Sequence, residues 1–360
     1  MARLRLGCSL LAHDRSKMAI SPVKQMALRW LLIAAITRAA HLANESQRQW
    51  AERLASSFDA RGAAIRTWRS AAPLPRASRP WVFFHQRKAG GSSVRKAVAA
   101  AAKRAGLARW IPCFDGVDCA TFAAPTEIGA LGKATVLGGH LRWPTVVQSL
   151  YINATRRPTL DHPRPAFDCY TGFREPVSRV VSCWNYRFRQ RGGKLFRGDA
   201  WDLAALPLSN ASSYLRFGES IYGEGCNNEG LRVLSDAGGG EAVNGLTAGD
   251  DLDADGDGWA PGAAAAFRQA LARASSCVVG VLERCEETVE VLVAHFPWLA
   301  GLSCDLHANN ASLHGPPPPP AHAAEIMRLN ALDGLLYDVA NRQLDAQLAV
   351  VRAARGRRRE

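Results

Sequence analysis

The sequence predicts an α/β fold with a central parallel sheet flanked by helices. Two patterns carry that expectation. Short apolar runs recur at Trp81–His85, Ala134–Leu137, Phe167–Phe173 and Cys277–Leu282, without the polar alternation of a half-exposed strand, as in strands covered on both faces. Helical stretches follow at Val94–Ala105, Val177–Phe188 and Glu286–His295. Strands alternating with helices imply crossover units and a parallel sheet.

The first strand, Trp81–His85, runs through Gln86-Arg87-Lys88-Ala89-Gly90-Gly91-Ser92-Ser93 into an alanine-rich helix, for which Ser92 or Ser93 is a natural N-cap. Strand, Lys-x-Gly-Gly-Ser-Ser turn and helix start together make an anion site. Glycines let the backbone approach, N–H groups converge at the helix N-terminus, and Lys88 and the serines add charge-assisted contacts. The fold class expected is three-layer and P-loop-like. The second strand ends in Gly138-Gly139-His140. The third ends in Thr171-Gly172-Phe173-Arg174-Glu175-Pro176, before a helix that carries Arg179 and Ser182. Arg174 and Ser182 could hold a second phosphate, the arginine as a bidentate fork. All three turns fall at strand C-termini, where ligands gather in such sheets. Residues 189–262 are loop-rich, 316–320 is a polyproline linker, and 326–349 reads as one amphipathic helix.

A chain of 360 residues with 48% hydrophobic content can bury one large core. Its net charge of +13 is unevenly spread. Residues 1–80 hold 14 basic and 4 acidic side chains, and 352–360 hold five arginines and one glutamate. Within the rest, 81–197 carries 19 basic against 6 acidic residues, and 198–351 carries 7 against 21. That division argues against nucleic acid and suits an anionic ligand held by the basic half. Arg142, Trp143, Arg156, Arg157, Arg187, Arg189 and Arg191 are candidates to line a cleft for an acidic glycan. Asp251–Asp257 mimics the first positions of a calcium loop, but Gly262 stands where the bidentate Glu belongs, so it reads as a solvated acidic loop.

Nine cysteines are present. Cys8 lies in the N-terminal tail, and the other eight could form up to four disulfides in an oxidising lumen. Cys113 with Cys119 and Cys277 with Cys285 are the local pairs expected first. No Cys-x-x-Cys occurs, so no metal site is expected. Glycosylation sequons begin at Asn44, Asn153, Asn210 and Asn310. The organisation expected is a basic cytosolic tail (1–25), a signal-anchor segment (26–44), a polar Ala/Arg-rich stem (45–80), the catalytic domain (81–350) and a basic tail (351–360). The apolar core of the anchor is short beside the roughly 20 residues of a full span. An Arg-rich, acid-poor transit peptide is the alternative for the N-terminus.

Residues 81–93 and 171–182, about ninety apart, resemble the 5′-phosphosulfate loop and the 3′-phosphate motif of sulfotransferases that use 3′-phosphoadenosine 5′-phosphosulfate (PAPS). The closer resemblance is to the Golgi uronyl and heparan sulfate 2-O-sulfotransferase type, whose second motif reads Arg-Glu-Pro-x-x-Arg-x-x-Ser. Weaker likenesses lie at Val279–Arg284, Pro297-Trp298 and Asn330–Tyr337, so the resemblance covers roughly 81–350. It implies a Golgi membrane protein with a luminal domain and a glycan acceptor. It also implies PAPS held by Arg87, Lys88, Ala89, Gly90, Gly91, Ser92, Ser93, Arg174 and Ser182. Lys88 would stabilise the leaving oxygen and His140 would be the general base. Gly138 stands where that family has a first histidine. Arg179 would face the nucleotide or pair with Glu175, and His85 reads as a core histidine with its hydrogen bonds satisfied. A P-loop kinase is disfavoured, because Lys88 precedes the glycines instead of following them. A protein-tyrosine or small-molecule sulfotransferase, or an inactive glycan-binding protein on the same fold, remain the alternatives.

Overall fold

The computed structural model describes residues 49–68, 73–111, 134–155, 167–184, 227–236, 263–304 and 318–357. All of them belong to one unit, Gln47–Glu360. The segment 26–44, the loop 250–258, and Cys113 and Cys119 lie outside the described residues. So do all the candidate cleft arginines except Arg142.

Five parallel strands, β1 (Trp81–Phe84), β2 (Arg109–Trp110), β3 (Val136–Gly139), β4 (Asp168–Phe173) and β5 (Val278–Val281), form one sheet in the order β2-β3-β1-β4-β5. Among the described residues 49–56 are helical, and nine further α-helices accompany the sheet: α1 (Ala60–Thr67), α2 (Gly91–Arg104), α3 (Trp143–Thr155), α4 (Pro176–Trp184), α5 (Glu229–Leu234), α6 (Ala263–Ala274), α7 (Cys285–His295), α8 (Pro320–Leu329) and α9 (Ala331–Gly356). The short β2, the helix at 49–56 and the helices α1, α3, α5 and α6 are additions to the elements expected from sequence.

β1 is the middle strand, and all four of its residues are buried. On one face Trp81 meets Phe296 and Trp298 edge-on at 5.9 and 5.3 Å, and Phe83 stacks on Tyr170 at 5.0 Å. On the other, Phe84 stacks on Trp143 of α3 at 5.0 Å, with Arg273 of α6 over the same indole at 5.5 Å. Cover on both faces explains the unbroken apolar run Trp81–Phe84. The chain leaves β1 towards β2 and later leaves β4 towards β5, on the opposite side. Their C-terminal ends therefore border the crevice where connections diverge, the place such sheets bind ligands.

β5 is the edge of the described sheet, and side chains cap its backbone. Thr288 Oγ1 accepts the Val281 N–H at 2.9 Å and donates to the Val281 carbonyl at 3.1 Å. From α9, Gln347 accepts the Val279 N–H at 3.3 Å and Gln343 donates to the Cys277 carbonyl at 3.1 Å. An edge closed in this way offers no template for pairing with another chain.

Several sequence expectations are corrected. The N-cap of α2 is Gly90, in a left-handed conformation (φ 75°), with Ser92 and Ser93 inside the helix. The stretch 326–349 is two helices parted at Asn330, whose side chain is drawn into bonds with other segments. Cys277 pairs with Cys169 (Cα–Cα 4.7 Å), because register sets Cys169, within β4, beside Cys277, the residue before β5. Cys285, carried to the far end of β5, pairs with Cys304 (Cα–Cα 5.9 Å). Cys183 is disulfide-bonded as well. Residues 49–68, expected as stem, pack against α9: Ala51, Ala55, Ala63 and Ala64 are buried, while Arg53, Arg61 and Arg66 face solvent. Arg342 of α9 donates to the carbonyls of Ala55 and Ser56. Small alanines let the helices approach closely, which overall polarity conceals. Further on, Arg79 makes a two-toothed contact with Asp168 at 2.8 and 2.9 Å, tying the entry of β1 to β4. No described helix is long and apolar enough to cross a membrane.

Replacing Cys169 and Cys277 together by Ala is expected to cost about 2–5 kcal/mol in a non-reducing urea titration, since the bridge closes a long loop. A chain that begins at Trp81 is expected to melt well below one that begins at Gln47, because it uncovers the buried face of α9; equal melting would show that contact to be incidental.

Candidate functional site

Two of the turns singled out in the sequence meet at the C-terminal ends of β1 and β4. Phe84 and Thr171 are register partners, so the two chains leave the sheet together. Arg174, just past β4, donates from Nη1 to the Lys88 carbonyl at 3.0 Å. Lys88 itself is left-handed (φ 64°), as is Gly90 (φ 75°). Glycine adopts that backbone freely, whereas it costs a lysine about 1–2 kcal/mol. The turn is secured by the Ala89 N–H donating to the Gln86 carbonyl at 3.3 Å, and by the Ser93 and Val94 N–H groups donating to the Gly90 carbonyl. The N–H groups of Gly91 and Ser92, at the very start of α2, precede any carbonyl the helix can offer them and, with its dipole, favour an anion at this end.

Lys88 and Arg174 are two neighbouring cations, both partly withdrawn from water. Burial, and then the Arg174 guanidinium, lower the Lys88 amine to about 8. Burial also lowers Arg174, with Arg179 adding to it, while Glu283 and Glu175 oppose the shift. Glu283 Oε1 lies 3.8 Å from Arg174 Nε and accepts the Glu175 N–H at 3.2 Å. A bound polyanion would relieve the repulsion between the two cations.

Gly91 serves a different need from Gly90. A Cβ there would fall 1.6 Å from Cδ2 and 1.7 Å from Nε2 of His85, so the imidazole occupies that space. His85 is buried and stacks on Phe83 at 5.5 Å and on His140 at 4.2 Å. It is a core histidine as expected, but its Nδ1 has no hydrogen-bond partner among the described residues. His140, just past β3, donates from Nδ1 to the His85 carbonyl at 3.3 Å. A carbonyl only accepts, so this bond puts the proton on Nδ1 and leaves Nε2 as the proton-accepting nitrogen. Burial, reinforced by Arg87 and Arg95 and opposed by Glu229 and the His85 bond, lowers the imidazole to about 3. It is neutral at physiological pH.

The remaining expected residues separate. Arg87 is engaged by Glu229 of α5, whose Oε1 accepts its Nε–H at 2.8 Å and its backbone N–H at 2.9 Å. Arg179 is buried and turns to Glu229 Oε2 (3.6 Å), Asp333 Oδ2 (3.4 Å) and Asn330 Oδ1 (3.1 Å). Glu175 does not pair with it but caps α4, accepting the Val177 and Ser178 N–H groups at 2.9 and 2.7 Å. Ser182 is buried one turn beyond Arg179 on α4. Asp333 accepts the N–H groups of Gly230 and Leu231, and Asn330 accepts that of Asn228, so α5 is capped from α9 and the residue before it. Sequence reasoning passed over Glu229. The only local trace is Asn227-Asn228 ahead of a short apolar stretch, inside a region that reads as loop.

Compared with known protein families and with curated proteins, the chain matches none.

The Lys88 amine is expected to titrate near pH 8, read from isotope-labelled reductive methylation followed by NMR. Arg174→Ala should move that midpoint upward by removing the neighbouring cation; an ordinary lysine midpoint in the unaltered protein would refute the crowded-cation description.

Proposed function

We propose that the protein is a sulfotransferase on a P-loop-like three-layer fold, moving a sulfuryl group from PAPS to a hydroxyl of a carbohydrate acceptor. The observation that carries this reading is the contact between the two sequence segments. Lys88 of the first and Arg174 of the second stand together at the start of α2, where burial disfavours their charges unless an anion is present. The residues fit the donor. Lys88 with Ala89, Gly90, Gly91, Ser92 and Ser93 would take the phosphosulfate end, and Arg174 with Ser182 the 3′-phosphate. Arg87, engaged by Glu229, would shape the loop from behind.

The donor supplies an activated sulfuryl group: its sulfur–oxygen bond to the 5′-phosphate breaks as the acceptor oxygen bonds to sulfur. Lys88 would hold positive charge against the oxygen that departs, an electrostatic task that needs no covalent chemistry. His140 would take the acceptor's proton on Nε2, because the His85 carbonyl retains the proton on Nδ1. Lowered to about 3, this imidazole is a weak base by itself. The disulfides Cys169–Cys277 and Cys285–Cys304 accord with a luminal or secreted setting, and a Golgi location with an N-terminal anchor belongs to the same proposal. The low basicity of His140 favours one second reading, a silent glycan- or nucleotide-binding protein.

Calorimetry with 3′-phosphoadenosine 5′-phosphate tests the proposal. Binding is expected in the unaltered protein and should weaken at least tenfold in Lys88→Ala and in Arg174→Ala. Lys88 is cationic below its midpoint, so affinity should be full below about pH 8 and decline above it. A folded protein that does not bind the nucleotide sinks the reading. His140→Ala should bind normally yet lose transfer to a glycan; an unaltered protein that binds but never transfers supports the silent alternative.

A further inference from the structure

Glu229 lies outside both sequence motifs, yet its carboxylate is where they join. One oxygen takes the backbone N–H and the guanidinium of Arg87, the residue immediately before Lys88. The other faces Arg179 on α4, the helix that follows Arg174. The carboxylate is buried, at 3% exposure. Burial alone would raise it, but Arg87, Arg179 and Arg232 outweigh burial and hold it ionised, well below the usual carboxylate range. Its own helix is held in turn. Asp333 takes the Gly230 and Leu231 N–H groups, and Asn330 takes the Asn228 N–H together with Arg179. A buried charge seldom adds net stability. Here, however, one oxygen is spent on a backbone N–H next to a left-handed lysine, which is a constraint on shape.

We propose that Glu229 is a positioning residue: by gripping Arg87 at backbone and side chain it holds the anion loop in the conformation that sets Lys88 beside Arg174, and through Arg179 it couples that loop to α4. The inference rests on the sulfotransferase reading only for the identity of the anion.

Amide hydrogen exchange on the full chain tests it, with peptides spanning 85–93 as the readout and 136–139 as the reference. In Glu229→Ala the loop should exchange at least tenfold faster, with the reference unchanged. Glu229→Gln should recover part of the protection, since its amide oxygen can still accept the Arg87 N–H. Arg87→Ala, which loses only the guanidinium contact, should lie between. A role confined to stability would leave the Lys88 titration in place, whereas loss of positioning should move it upward from about 8 as the amine leaves Arg174 and enters water. Wild-type exchange of 85–93 in Glu229→Ala, or in Arg87→Ala should the former not fold, overturns the proposal. No nucleotide enters these readouts. A loop that loosens in a protein that fails to bind 3′-phosphoadenosine 5′-phosphate would keep this inference and discard the sulfotransferase reading.

Discussion

Burial of the Arg179 guanidinium organises the structure around the site. Its side chain is 1% exposed, and a charge so far from water must be met by acceptors held in place. Glu229, Asp333 and Asn330 meet it, and each is thereby committed. Asn330 interrupts what would otherwise be one helix from Pro320 to Gly356, Asp333 caps α5, and Glu229 reaches across to the loop after β1. Taking one partner from such a buried set costs about 3–5 kcal/mol. Exposed pairs such as those of Arg352 and Arg355 with Glu290 contribute about 0–1 kcal/mol each. The interior network therefore dictates shape, and the surface pairs follow it.

Parallel register supplies the second constraint. With β1 between β3 and β4, the turns after all three strands open on the same end of the sheet. Lys88, His140 and Arg174 each follow a strand closely, so one register brings them to one rim. Their electrostatics differ because their surroundings do. Lys88 and Arg174 repel one another in partial burial, a state that an anion stabilises. His140 is pressed against another imidazole among Arg87 and Arg95, and is kept neutral. Glu283 tempers Arg174 without neutralising the pair.

The far side of the sheet is stabilised by other means. β5 has no described neighbour beyond it, so Thr288, Gln343 and Gln347 occupy its outward hydrogen bonds. Cys169–Cys277 staples the start of β4 to that of β5, and α9 in turn covers the alanine face of residues 49–68.

The α/β class was legible in the apolar runs, because period and length alone distinguish strands covered on two faces. The Lys-x-Gly-Gly turn and the Arg174 turn were legible for the same reason, as local chemistry written contiguously in the chain. Local sequence also misled. Serines at a helix start suggested a side-chain cap, whereas the backbone needed Gly90 left-handed; two nearby cysteines suggested a pair, whereas the strand between them carried each to a different partner. The contact of Arg87 with Glu229, 142 positions away, was not legible in the chain, because only folding brings the two together. The sequence by itself determined the main strands of the sheet and the helices that follow β1 and β4, since those depend on neighbours along the chain. Only the tertiary structure decided which charges are buried and which partners they meet, because burial and pairing are properties of segments that meet in space.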